Sequence, residues 1–302
     1  MRARLLALLA PFAFALAAPS GALALNINEN YKPQNEFKLE PWLKLHLGGV
    51  DLSVNKAVFY VVVASILTCA TMIWAARNMN ALGRPGYFQT IIEGYYGLIQ
   101  GITKGNLDGK MLRRWFPFLG AIFLFIWFSN MLGYLPLPTN TQEKVNIFGL
   151  HVPSLALYAA TANLSVPLVL TFCVVLSYHY EGIRAKGFVP YLKGWVPPGV
   201  EGAAVAPIFV IEVISHFVRI VSLSVRLFAN ILAGHLLILF MGGGLVVLLN
   251  LGIFGSAVLG LITGTMAVAF FLFEVGLVAT LQAFIFTTLA AIYLGGAVAA
   301  EH

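Results

Sequence analysis

"PIFVIEVISHFVRIVSLSVRLFANILAGHLLILFM", Pro207 to Met241, decides how the rest of the chain is read. As a helix these residues extend ~50 Å, too long for an upright membrane span. A stretch of this length must tilt, kink or lie partly in the interface. Gly242, Gly243 and Gly244 close it, and a second long apolar run continues from Leu245 to Leu294. The pair reads as a long, tilted helical hairpin.

The composition agrees. The chain has 302 residues, 60% of them hydrophobic and 10% charged, with a mean hydropathy of +0.87. Soluble domains carry roughly 25% charged residues, so this is an all-α integral membrane protein. The net charge of +6 does not point to nucleic acid, because the basic residues sit between apolar segments. Cys69 and Cys173 fall inside expected spans and read as small apolar fillers, with no metal site.

Working outward, Met1 to Ala24 has a basic start, a short apolar core and small residues at Ala22 and Ala24, the pattern of a signal peptide. Residues 25–56 are polar and mixed and read as an external segment. Residues 57–302 then form a single membrane domain, with spans at about 57–76, 116–137, 155–178, 207–241 and 245–294. Tyr87 to Ile102 is amphipathic and is expected on the membrane surface. The loops holding Arg77, Arg84, Lys104, Lys110, Arg113 and Arg114, and then Arg184, Lys186 and Lys193, are far more basic than the loop between them, which has only Lys144. The positive-inside rule makes the basic loops cytoplasmic. The N-terminus is then external, with five crossings and a cytoplasmic C-terminus.

The first three spans, so bounded, contain no Asp, Glu, Lys, Arg or His, and the last hairpin holds Glu212, His216, Arg219, Arg226, His235 and Glu274. Ionisable groups in a membrane face a bundle interior, an aqueous cavity or a partner. Glu212, His216, Arg219, Leu223, Arg226, Asn230 and Ala233 follow one another at steps of four and three, a single helical stripe. His235 is about 180° around the helix from Arg226. In an antiparallel hairpin, setting Gln282 opposite Arg226 brings Glu274 level with His235. A histidine and a glutamate at one depth can carry a proton near neutral pH. Arg226 cannot shed its charge, and neither helix offers it a carboxylate at hydrogen-bonding spacing. Its anionic partner is therefore expected on another subunit.

"SLSVRLFANILAGH" (Ser222–His235) together with "LQAFIFTTLAAIYL" (Leu281–Leu294) resembles subunit a of the membrane sector of F-type ATP synthases, as do "NMLGYLP" (Asn130–Pro136) and "TANLSVPLVL" (Thr161–Leu170). The resemblance implies a stator beside a rotating c-ring whose hairpins each carry a carboxylate. It also implies contacts with subunit b of the peripheral stalk, and two offset proton half-channels in a bacterial inner membrane. Carried over, Arg226 is the essential stator arginine and Asn230 its polar neighbour. His235 takes the external-side acidic-or-histidine position, Glu212 the release-side acidic position, and Gln282 the midplane glutamine. From the residues themselves, His216 and Arg219 stand beside Glu212 either on the proton path or with it as an interfacial salt-bridge cluster near the cytoplasmic headgroups. ATP chemistry would lie in other subunits, and no cofactor is expected. The sequence departs from the family twice. Asn163 stands where relatives often have Asp, and Glu274 is one residue off the position where they place His or Glu.

The competing reading is a stand-alone carrier or channel in which Arg226 binds an anionic substrate. Discontinuous helices and an internal repeat would favour it, and the sequence shows neither.

Overall fold

The computed structural model describes residues 41, 46–47, 50–51, 53–78, 86–134, 145–147, 150–152, 159–197, 199–200, 202–244 and 253–299. The signal-peptide expectation and most of residues 25–56 lie outside them. Among the described residues, five helical segments are long and apolar enough to cross a membrane: Lys56–Asn78, Gly109–Gly133, Ser165–Lys186, Gly202–Gly242 and Gly255–Val298. The all-α class holds. The strands are two short antiparallel ladders, β1 (His46–Leu47) with β2 (Val50–Asp51), and β3 (Val145–Ile147) with β4 (Leu150–Val152).

Chain packing divides the protein into two units. The second comprises Ala57–Leu135, Ala159–Asn230 and Ala279–His302. Its helices are α1 (Lys56–Asn78, from Ala57), α2 (Tyr87–Lys104), α3 (Gly109–Gly133), α4 (Ser165–Lys186), α5 (Phe188–Lys193), the part of α6 (Val205–Leu239) up to Asn230, and α8 (Ala279–Val298). The core is α8 packed on α3 and α4, with α2 against α3. Phe286, Ala290, Ala291 and Leu294 of α8 are buried there with Leu119, Ile126 and Val174. Small residues allow the close approach. A side chain on Gly133 would strike Ala159, and one on Gly120 would meet the Tyr95 hydroxyl at 2.5 Å.

Buried polar side chains add direction to this core. Thr161 donates to Asn130 Oδ1 at 2.7 Å, and Asn130 donates through Nδ2 to the Ala279 carbonyl at 3.4 Å. Trp127 donates to Thr280 at 3.2 Å. Two of the short sequence motifs, those around Asn130 and Thr161, thus meet at the start of α8. Leaving such a buried group unpaired costs roughly 1–3 kcal/mol, so these bonds favour one register of α3 against α8.

The third membrane helix differs from its expected bounds at both ends. Residues 155–158 lie outside the described set, and Ala160–Ala162 form a 3₁₀ turn. The α-helix begins at Ser165, whose N–H is accepted by Asn163 Oδ1 at 3.1 Å. Pro167 sits in its first turn, where a missing N–H does no harm. At the far end the helix runs past Tyr178 to Lys186, because nothing in the sequence stops it before Gly187, at φ +87°. His179, Glu181 and Arg184 therefore belong to this helix and not to a loop.

The amphipathic stretch is helical, as α2, with Ile92, Ile99 and Ile102 inward and Phe88, Ile91 and Leu98 exposed. Burial raises the Tyr95 phenol above its ordinary range, so that side chain stays neutral against α3.

The first unit comprises Met1–Lys56, Pro136–Tyr158 and Ile231–Val278. It contains the two strand ladders, the last turns of α6, a π-helical segment Phe240–Gly244, α7 (Ile253–Phe273) and a second π segment, Glu274–Val278. Packing in it runs from α7 to both π segments. The glycines that close the long apolar run, Gly242–Gly244, lie in the first π segment.

Candidate functional site

On α6 in the second unit, the stripe expected from sequence is present but changes character along its length. Glu212, His216 and Arg219 are partly buried and interact with one another. Arg219 donates through Nη2 to Glu212 Oε1 at 3.4 Å, and the same oxygen lies 3.9 Å from His216 Nε2. The Arg219 guanidinium also stands over the Tyr293 ring, 5.3 Å from its centroid, a favourable placement for a delocalised cation.

Aromatic residues surround this cluster. Tyr178 and His179 come from α4, Tyr191 from α5, Trp195 from the turn after it, and Tyr293 from α8. Tyr178 Oη is 2.8 Å from His216 Nδ1, and Tyr191 Oη is 2.7 Å from His179 Nδ1. The two imidazoles are 4.9 Å apart between centroids, and Trp195 lies 4.5 Å from His216. Tyr191 seats tightly because it packs on Gly182, where any side chain would collide with its ring. Burial raises its phenol. Beside the cluster is a cavity of about 590 Å³ lined by Glu212, His216, Arg219, Lys186, Tyr178 and Tyr293 among others. The space is large enough for water and holds charged groups of both signs.

Two turns beyond Arg219 the surroundings change. Leu223 and Leu227 are buried, whereas Arg226 and Asn230 are exposed. Arg226 donates to Ser222 Oγ at 3.5 Å, and among the described residues no carboxylate pairs with it. Its flank is apolar, with Val218, Val221 and Val225 exposed. Gln282, buried on α8, accepts from Asn230 Nδ2 at 3.2 Å. The glutamine therefore pairs with the residue one turn after Arg226, and not with Arg226 as the hairpin register suggested.

In the first unit, His235 and Glu274 are both buried. His235 Nδ1 is 3.0 Å from the Ile231 carbonyl. A carbonyl only accepts, so Nδ1 carries the proton, and in the neutral ring Nε2 keeps its lone pair. The Glu274 carboxyl lies against the Cα of Gly234. A Cβ built there would stand 2.5–2.6 Å from the carboxyl carbon and both oxygens. Glycine at 234 is thus what admits the carboxyl beside the His235 backbone.

Glu274 also opens the second π segment. A π turn holds one residue more than an α turn. The extra residue of this turn falls between Glu274 and Gln282.

Sequence reading singled out Glu212, His216, Arg219, Arg226, Asn230, His235, Glu274 and Gln282. It missed Tyr178, His179, Tyr191, Trp195, Tyr293 and Gly234. The adjacent pair Tyr178–His179, at the end of an apolar run, was the available clue. Among the described residues no group of three His, Cys, Asp or Glu side chains could hold a metal ion.

Comparison with known proteins identifies the family. The family described as ATP synthase A chain matches residues 58–295. ATP synthase subunit a of Parvibaculum lavamentivorans is 32% identical over 275 residues, covering 89% of this chain and 94% of the relative. The protein of that name from Rubrobacter xylanophilus is 30% identical, over 88% and 93%. That from Paramagnetospirillum magneticum is 32% identical, over 88% and 98%. With its five apolar helices the chain is a multi-pass membrane protein, and by these matches it belongs to the ATP synthase A chain family.

Proposed function

We propose that this chain is the proton-conducting stator subunit of a rotary ATP synthase, with Arg226 acting on a carboxylate carried by a rotating c-ring. The observation that carries the reading is the state of Arg226. It is a permanent cation, exposed on an apolar flank, and no carboxylate among the described residues neutralises it. A fixed guanidinium favours the ionised form of a carboxylate brought opposite it and disfavours the protonated form. It also bars free protons from passing directly along the path, as positive charge does in other pores.

Two polar groups then serve as separate routes. Protons are taken up from the external side through His235 and Glu274, are carried around on the ring, and leave toward the cytoplasm past the cluster of Glu212, His216 and Arg219. The cavity of about 590 Å³ at the second group supports its role as an aqueous half-channel. Asn230 and Gln282, hydrogen-bonded to each other, present a polar face beside Arg226. Each proton crossing ~100 mV releases about 2.3 kcal/mol, so several are needed per ATP. The basic loops place the N-terminus outside and the C-terminus in the cytoplasm of a bacterial inner membrane. α2 lies in the cytoplasmic interface, and Met1–Ala24 is a signal peptide. Subunit b of the peripheral stalk holds the chain against rotation.

Arg226→Ala in the assembled complex, reconstituted in vesicles, is the direct test. Synthesis driven by a proton gradient should be abolished while subunit composition is unchanged. Synthesis at the native rate would sink the stator reading.

A further inference from the structure

Resting on the release-path reading above, we infer that Tyr178 is a positioning residue that locks His216 as a neutral imidazole with its Nε2–H turned to Glu212. Glu212, and not His216, is then the proton carrier of that path.

Each nitrogen of His216 has a different neighbour. Nε2 is sealed from solvent, makes no hydrogen bond, and has the Glu212 carboxylate 3.9 Å away. A lone pair turned toward a carboxylate is repelled, while an N–H is attracted, so the proton belongs on Nε2. Nδ1 is then an acceptor, and the Tyr178 hydroxyl at 2.8 Å must donate to it. Becoming imidazolium would require a proton at Nδ1, which would break this bond and force the Tyr178 hydroxyl to turn from donor to acceptor. Tyrosine does not release its proton at physiological pH, so the ring cannot gain one proton while passing another.

The neighbouring imidazole repeats the arrangement. Tyr191 Oη stands 2.7 Å from His179 Nδ1, and a phenol donating there leaves that ring neutral as well. Two rings with centroids 4.9 Å apart are thus both held neutral by phenols, which avoids like-charge repulsion beside Arg219. The titratable and charged groups around His216 are Glu212 and Arg219 on α6, Tyr178, His179 and, across the cavity, Lys186 on α4, Tyr191 on α5 and Tyr293 on α8. Of these only Glu212 is both close to Nε2 and a carboxylate, a group that can take up and release a proton while Arg219 keeps its charge.

The test is proton conduction through the membrane sector of the whole complex, stripped of its catalytic head in vesicles, measured from pH 5 to pH 9. His216→Gln, which keeps an N–H donor, should lower the rate without adding or removing an inflection in the wild-type pH profile. Tyr178→Phe frees Nδ1, so conduction should acquire a new inflection in the histidine range, between about pH 5 and 8. That inflection should vanish again in Tyr178→Phe/His216→Gln. Glu212→Gln should slow conduction about tenfold or more at every pH. Loss of a wild-type inflection in His216→Gln would show that His216 carries protons and overturn the lock. An unchanged profile in assembled Tyr178→Phe would overturn it too, with the release path intact if Glu212→Gln still inhibits. Conduction indifferent to Glu212→Gln would instead remove the release path itself from this cluster.

Discussion

Arg219 and Arg226 are seven residues apart on one stripe of one helix, yet their surroundings differ. Arg219 is half-buried, paired with Glu212 at 3.4 Å and seated over Tyr293. Arg226 is exposed and has the Ser222 hydroxyl at 3.5 Å. One cation is satisfied within the chain, and the other is presented outward. A shared helical face is thus no guide to a shared role. What separates the two is whether a carboxylate stands one or two turns away, as Glu212 does for Arg219.

The contrast can be broken from either side. The largest effect should come from removing the outward cation: Arg226→Ala should lower gradient-driven synthesis by at least about 100-fold, the scale of losing a charge-stabilising group. Arg219→Ala, assayed in parallel, should lose about fivefold, since a half-exposed pair contributes roughly 1 kcal/mol or less. Equal losses would dissolve the distinction. Next in size is Ser222→Glu, which gives Arg226 an internal partner at the favourable i, i+4 spacing. It should turn Arg226 into a second Arg219 and slow synthesis by more than about tenfold, with assembly intact. A native rate in that variant would mean that Arg226 needs no free charge. The smallest effect is expected for Tyr293→Leu, which takes the ring from under Arg219. A loss of about twofold to fivefold in synthesis rate matches an exposed cation–π contact, and no change would leave the Glu212 pair as the whole support of Arg219.

Much of the architecture is legible in the sequence because lipid imposes a coarse rule. Apolar runs of span length must be helices, and the five of them are read from composition alone. The polar stripe is equally legible, since Glu212, His216, Arg219 and Arg226 share one helix and a fixed period. What escaped is whatever depends on two elements meeting. Tyr191 and Trp195 lie in a stretch rich in Gly and Pro, with no periodicity to show that it folds back on α4. His179 was hidden because the helix carrying it runs on to Gly187, past the end of its apolar segment. The pairing of Gln282 with Asn230 escaped because setting Gln282 opposite Arg226 concerns depth along the hairpin and not which side chain of the facing turn it reaches. The expected membrane orientation and the leader segment are matters of the bilayer and of residues outside those described, and they rest on charge and composition.

The π turn at Glu274–Val278 bears on how this helix tolerates changes in length. One residue inserted in an ordinary α-helix rotates everything after it by about 100°. Gln282, Phe286 and Thr287 would swing out of the core they occupy against α3 and α4. Widening a single turn confines the extra residue to one place, so the helix beyond it keeps its face. Deleting one residue within Glu274–Val278 should let the same turn close as plain α-helix, with the downstream packing intact.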